Sequence, residues 1–131
     1  MERKRIVVAG ASGFIGTNFL NRIAGMKEYD VLGIYHINEP KIDSSNINYA
    51  KADLRNLKEC KEIVKGVDYL CMFAGQLSTT AVMLKNPLGP ITDNTVINVN
   101  MLEAAFSADV KKYIWLSSTT GYPSQEGPLV E

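Results

Sequence analysis

Short apolar runs alternate with amphipathic stretches along most of the chain. Ile6 to Ala9 is an apolar run bounded by charge on one side and by Gly10 on the other, which suits a strand buried on both faces of a parallel sheet. Past the glycines at 10, 13 and 16, the residues Phe14, Ile15, Phe19, Leu20 and Ile23 recur at helical spacing. Asn18, Asn21, Arg22 and Lys27 take the other side, so this segment predicts one amphipathic helix. The alternation then repeats, with strands at Val31 to Tyr35, Ile47 to Ala50, Val67 to Phe73 and Tyr113 to Leu116. Helices are predicted from about Leu57 to Lys65 and from Asn94 to Ala108, with Phe73 and Leu102 in the core. Residues 36–46 form a polar loop. The segment 75–93, with Pro87, Gly89 and Pro90, and the segment from Ser117 to Glu131 read as irregular.

Strands alternating with helices require right-handed crossovers. The predicted class is therefore α/β, a doubly wound parallel sheet of the Rossmann type, with about five strands in the order 3-2-1-4-5. Ligands of such sheets sit at the carboxyl ends of the strands.

A chain of 131 residues suits one domain, 1–131, and is short for an enzyme that also needs a substrate lobe. Its 14 basic and 14 acidic residues cancel, which argues against nucleic acid or an anionic membrane as partner. Cys60 and Cys71 form neither a CxxC pair nor a disulfide framework, so they read as buried or half-buried thiols, with no metal site expected, in a cytoplasmic protein. The basic start followed by Ile6-Val7-Val8-Ala9 superficially resembles a secretory signal, but the glycines and Thr17-Asn18 end the apolar run too early. No stretch approaches the roughly 20 apolar residues of a membrane helix, and a soluble protein is expected.

The chemistry is concentrated in Gly10-Ala11-Ser12-Gly13-Phe14-Ile15-Gly16, between the first strand and the first helix. A pyrophosphate needs backbone N–H groups aimed at it from a helix N-terminus, and side chains on the turn would hold the backbone away. Gly10 permits the turn off the strand, Gly13 lets the chain approach the phosphates, and Gly16 lets the helix pack close to the sheet. GxxGxxG alone is a weak signal, also met in purely structural turns, but its strand–turn–helix setting is the context that dinucleotide binding requires.

This spacing resembles the short-chain dehydrogenase/reductase superfamily, and the loop resembles its extended branch, the NAD-dependent epimerase/dehydratase family that modifies nucleotide sugars. Ala52-Asp53-Leu54 resembles the family's Asp-Leu pair, whose carboxylate meets the adenine amino group. Phe73-Ala74-Gly75 is similar to the turn that packs along the cofactor in UDP-galactose 4-epimerases. Asp93-Asn94 with Leu102-Glu103-Ala104-Ala105 resembles a family helix, and Ser117-Ser118-Thr119-Thr120-Gly121-Tyr122-Pro123 resembles the Ser-Ser-x-x-x-Tyr segment, with Tyr-Pro as in GDP-fucose synthases. The resemblance implies NAD or NADP as cofactor, held by Gly10, Gly13, Phe14, Ile15, Gly16, His36, Asp53, Leu54, Phe73, Ala74, Gly75, Asn94 and Ser117. It also implies a nucleotide-sugar-like small molecule as substrate and a homodimer. Asp53 and Asn94 could instead cap the helices that follow them, a role that does not exclude ligand contact.

At the end of the second strand, where NAD-specific members place an acid, stands Gly33-Ile34-Tyr35-His36. His36 and Lys41 are able to assist a 2′-phosphate, or to face solvent as loop residues. Cofactor choice stays open, with charge favouring NADP. The family's Ser, Tyr and Lys chemistry needs tyrosine and lysine four apart on a helix, and Glu126 stands four after Tyr122, where it would raise a tyrosine pKa. The resemblance therefore makes Tyr122 structural and Ser118 the catalytic serine, with the Tyr-x-x-x-Lys helix, the sixth strand and the substrate lobe expected beyond position 131. The chain so read binds dinucleotide and turns nothing over. A dinucleotide-sensing protein without chemistry, and an atypical NADPH or flavin reductase subunit, are the other readings.

Overall fold

The computed structural model describes residues 3–77, 79–117 and 127. In chain order the elements are β1 (Lys4–Ala9), α1 (Phe14–Ile23), β2 (Tyr29–Tyr35), β3 (Ile47–Lys51), α2 (Leu57–Ile63), β4 (Tyr69–Met72), α3 (Thr80–Lys85), α4 (Leu88–Ser107) and β5 (Lys112–Trp115). All strand pairs are parallel and the sheet order is β3-β2-β1-β4-β5, as the alternation predicted.

The central strand explains why the chain reads so plainly. In β1, Val7 and Ala9 point to one face and Ile6 and Val8 to the other, and Val7, Val8 and Ala9 are at most 1% exposed. A strand covered on both sides has no polar positions, hence the continuous run. On one face Val7, Ala9, Leu70 and Met72 meet Cys60 and Val64 near α2 and Met101, Ala104 and Ala105 of α4. On the other, Ile6, Val8 and Cys71 meet Leu20 and Ile23 of α1. Both cysteines are free and buried, as expected, and burial pushes each thiol up to about 11.

Segment 36–46 crosses from β2 to β3 without a helix and is tied down instead by Asn46, which is 4% exposed. Its Oδ1 accepts from Gly25 N at 2.8 Å and from Ser44 Oγ at 2.7 Å, and its Nδ2 donates to Ile23 O and Met26 O, both at 3.1 Å. Three of these four bonds go to backbone at and just after the end of α1 and the fourth to Ser44 in the loop, which makes an otherwise costly buried polar group a clamp.

Two expectations are corrected. Segment 75–93 holds α3 and the first residues of α4, which starts at Leu88 rather than Asn94. Pro90 falls in the first turn, where a missing N–H costs nothing, so it does not break the helix, and Asn86 Oδ1 accepts from Gly89 N at 3.2 Å. Leu102 is outside the core: it is 58% exposed, because Met101, Ala104 and Ala105 are the residues that α4 turns to the sheet.

Candidate functional site

The glycine turn is held by the sheet itself. Gly10 N and Ala11 N both donate to Ile34 O, the carbonyl near the end of β2, at 3.1 and 2.9 Å. Gly10 has φ +85°, and a Cβ there would lie 2.7 Å from Ala74 N, so it serves both the left-handed turn and the close approach of the chain leaving β4. Gly16 meets the turn rather than the sheet proper: a Cβ on it would stand 2.1 Å from Gly10 O. Gly13 differs from both. Its backbone is extended (φ −75°, ψ 169°), and a Cβ would meet just Gly10 O at 3.4 Å.

Gly13 is also the N-cap of α1, with no capping side chain. The first N–H groups of any α-helix lack intrahelical partners, so those of Phe14, Ile15 and Gly16 form the positive end of the helix dipole. The side chains of Phe14 and Ile15 are exposed and do not line the cleft.

Beside this turn a cleft of about 460 Å³ opens at the carboxyl ends of β1, β2, β3 and β4. It is lined by Gly10, Ser12 and Gly13, by Tyr35, His36, Ile37 and Asn38, by Asp53, Leu54 and Arg55, by Phe73, Ala74, Gly75 and Gln76, and by Asp93 and Ile97 of α4. Of the residues singled out from sequence, Gly10, Gly13, His36, Asp53, Leu54, Phe73, Ala74 and Gly75 thus meet around one space. Ser117 is exposed just after β5 and does not line it, and Ser118 lies outside the described residues. Phe73 packs edge-on against Phe19, with ring centroids 5.5 Å apart, which joins the cleft floor to α1.

Neither Asp53 nor Asn94 is a cap. Asn56 caps α2, its side chain accepting from Lys58 N at 3.0 Å. Asn94 sits inside α4 and grips the loop after β4 from behind: its Oδ1 accepts from Gln76 N at 2.7 Å and its Nδ2 donates to Gln76 O at 3.0 Å.

Asp53 is paired with a residue the sequence reading passed over. Arg55 Nε and Nη2 donate to its two carboxylate oxygens at 3.0 and 2.8 Å, and Arg55 N donates to Oδ1 at 3.0 Å. On its other side Arg55 Nη1 is 3.8 Å from Asp93 Oδ2, while His36 Nε2 is 3.8 Å from Asp53 Oδ2. The lip of the cleft therefore holds two carboxylates against one guanidinium. Lys41 is exposed and does not line the cleft. Of the two basic residues suggested for a 2′-phosphate, His36 therefore lines the cleft and Lys41 does not, while the guanidinium nearest the β3 end, Arg55, is already paired with carboxylates. Arg55 could have been suspected from its position two after Asp53, the spacing of an Asx-turn.

The Arg55 side chain, and secondarily its N–H, hold the Asp53 carboxyl at about 2, well below the usual carboxylate range. A depressed folded pKa stabilises the fold above the unfolded value and loses that stabilisation as pH falls through the folded one. The pair is partly exposed, so the effect is modest. We expect the melting temperatures of the parent and Arg55→Ala to differ near neutrality and to converge as pH is lowered from about 4 to about 2. A gap unchanged through that window would disprove the pairing in solution.

Among the described residues no helix is long and apolar enough to cross a membrane. The model of the NAD dependent epimerase/dehydratase family matches residues 6–131. The chain is 30% identical over 123 residues to GDP-mannose 3,5-epimerase 1 of Oryza sativa subsp. japonica, covering 93% of this chain and 32% of the relative. It is 27% identical over 123 residues to GDP-mannose 3,5-epimerase of Arabidopsis thaliana, with 93% and 33% covered. The chain thus spans about a third of the length of the curated relatives it matches. Among solved structures, UDP-N-acetylglucosamine 4-epimerase from Methanobrevibacter ruminantium M1, in complex with UDP-N-acetylmuramic acid, superposes with a TM-score of 0.83 at 25% identity, covering 100% of this chain and 43% of that one. The dTDP-glucose 4,6-dehydratase DesIV from Streptomyces venezuelae, with NAD and TYD bound, shares the fold, with a TM-score of 0.73 at 19% identity over 83% of this chain and 38% of that one.

Proposed function

This chain belongs to the NAD-dependent epimerase/dehydratase family, and from that premise we propose that it is the dinucleotide-binding part of an enzyme acting on nucleotide-linked sugars. The observation that carries the proposal is the glycine turn at the cleft: an uncapped helix N-terminus whose N-cap position leaves room that a side chain would fill. That room and those donors fit a pyrophosphate. Phe14, whose ring would have closed the site had it turned inward, is 86% exposed.

When bound, the nicotinamide supplies the acceptor or donor of a hydride. The residues of this chain do the holding. Backbone N–H groups of Phe14, Ile15 and Gly16 take the phosphates, while Gly13 N donates to Gly10 O at 3.1 Å; Tyr35 and His36 border the adenosine side, and Ala74 and Gly75 wall the nicotinamide side of the turn. Asp53 and Leu54 meet the base, and Ser118 is the proposed hydrogen-bond partner of the reacting oxygen. The substrate class proposed is a nucleotide sugar, the class named for the epimerases to which the chain is similar. The homodimer expected for such an enzyme would use the outward face of α4, where Ile91, Val99, Leu102 and Phe106 are exposed.

The two carboxylates at the lip favour NAD over NADP, because a 2′-phosphate there would meet Asp53 and Asp93 without an unpaired guanidinium. Calorimetric titration with each is expected to show NAD the tighter by about tenfold, about 1.4 kcal/mol. Tighter NADP would overturn the preference, and no heat with either would overturn the dinucleotide site.

A further inference from the structure

Asn100 stands on α4, behind the cleft and not among the residues lining it. Its side-chain amide donates to two successive main-chain carbonyls, Leu54 O at 3.0 Å and Arg55 O at 2.9 Å. Both belong to the turn after β3, whose Asp53, Leu54 and Arg55 do line the cleft.

Besides the Arg55–Asp93 ion pair and the His36–Asp53 contact, the turn has braces from its own neighbourhood. Glu59 Oε2 accepts from Asp53 N at 2.8 Å, Asn56 N donates to Asp53 O at 2.9 Å, and Cys60 Sγ donates to Leu54 O at 3.2 Å. They set the shape of the turn. Asn100 reaches it from an element 45 residues away in sequence, and the same helix, through Asn94, holds Gln76 on the opposite wall. One rigid helix therefore spaces the two walls of the cleft. In the order β3-β2-β1-β4-β5, phosphates at the β1 turn leave the adenosine half to run past β2 toward β3, so the braced turn faces the base.

We propose that Asn100 is a positioning residue that sets the β3 turn, and with it the Asp53 carboxylate, at the distance the adenine base requires. This rests on the cleft being a dinucleotide site. Its consequence is base selectivity rather than general affinity: an ionised carboxylate accepts from the 6-amino group of adenine and repels the oxygen that replaces it in hypoxanthine. Selectivity falls if the turn drifts.

The test is the ratio of Kd values for NAD and for its deamino analogue, which carries hypoxanthine, measured by calorimetry on the parent, Asn100→Ala and Asn100→Asp. The parent is expected to prefer NAD. Asn100→Ala removes both donors, and we expect NAD to weaken about tenfold while deamino-NAD changes less than about twofold, so the ratio collapses. Asn100→Asp keeps the size of the side chain but faces two carbonyls with acceptors, and is expected to do the same should the alanine variant prove unstable. A merely structural residue would weaken both ligands alike and leave the ratio standing, which would overturn the proposal, as would a parent that does not distinguish the two bases. A parent that binds neither ligand would overturn the dinucleotide site first, a failure visible before any Asn100 variant is made.

Discussion

Gly13→Asp is expected to abolish dinucleotide binding while leaving the fold as stable as before or slightly more so. The two effects separate because of where Gly13 stands. Its extended backbone suits any residue, and a Cβ would meet just Gly10 O, at an ordinary 3.4 Å. Asp is among the best N-cap residues, and α1 has no capping side chain of its own, so the variant gains a few tenths of a kcal/mol or more over glycine. The same carboxylate, however, occupies the N–H groups a pyrophosphate needs and opposes its charge. Calorimetry with NAD should show a loss of about a hundredfold or more, roughly 3 kcal/mol, with an unchanged or higher melting temperature. Equal heats for parent and variant would remove the phosphate site from this turn.

Gly16→Ala, three residues on, is expected to do the reverse and damage the fold itself. Its Cβ would lie 2.1 Å from Gly10 O and 2.9 Å from Gly10 C, and these are backbone atoms of a turn tied to β2 by Gly10 N and Ala11 N. Nothing there can rotate out of the way, so α1 or the turn must move, at a cost at or above the upper end of overpacking, about 3 kcal/mol. For a domain of this size that corresponds to a drop in melting temperature on the order of 10 °C, read by circular dichroism. A variant that melts with the parent would show that the helix sits farther from the turn than the structure places it. The pair of glycines thus separates ligand space from packing space within one turn of helix.

Some of this was legible beforehand in particular residues. The run Ile6 to Ala9 announced a strand covered on both faces, and the glycines at 10, 13 and 16 announced the turn. The first half of α4 was not legible, because Pro87, Gly89 and Pro90 read as breakers except at a helix start, and here the N-cap is Pro87 itself, with the preceding Asn86 accepting from Gly89 N through its side chain. Leu102 misled for a related reason. Periodicity locates the apolar residues of a helix, but α4 carries apolar residues on two faces, and only packing says which one meets the sheet.

By itself the sequence determined the alternation of elements and the place where backbone N–H groups gather, since each follows from hydrogen bonding and burial within a few residues of a position. Through that alternation it also determined the strand order, since right-handed crossovers leave few alternatives. The tertiary structure decided which polar side chains serve the cleft. Arg55 meets Asp93, Asn94 meets Gln76 and Asn100 meets Leu54 across gaps of 18 to 46 residues. Such partners carry no periodic signature, because an asparagine or arginine is chosen for what it touches in space, and that is set once the helices have packed on the sheet.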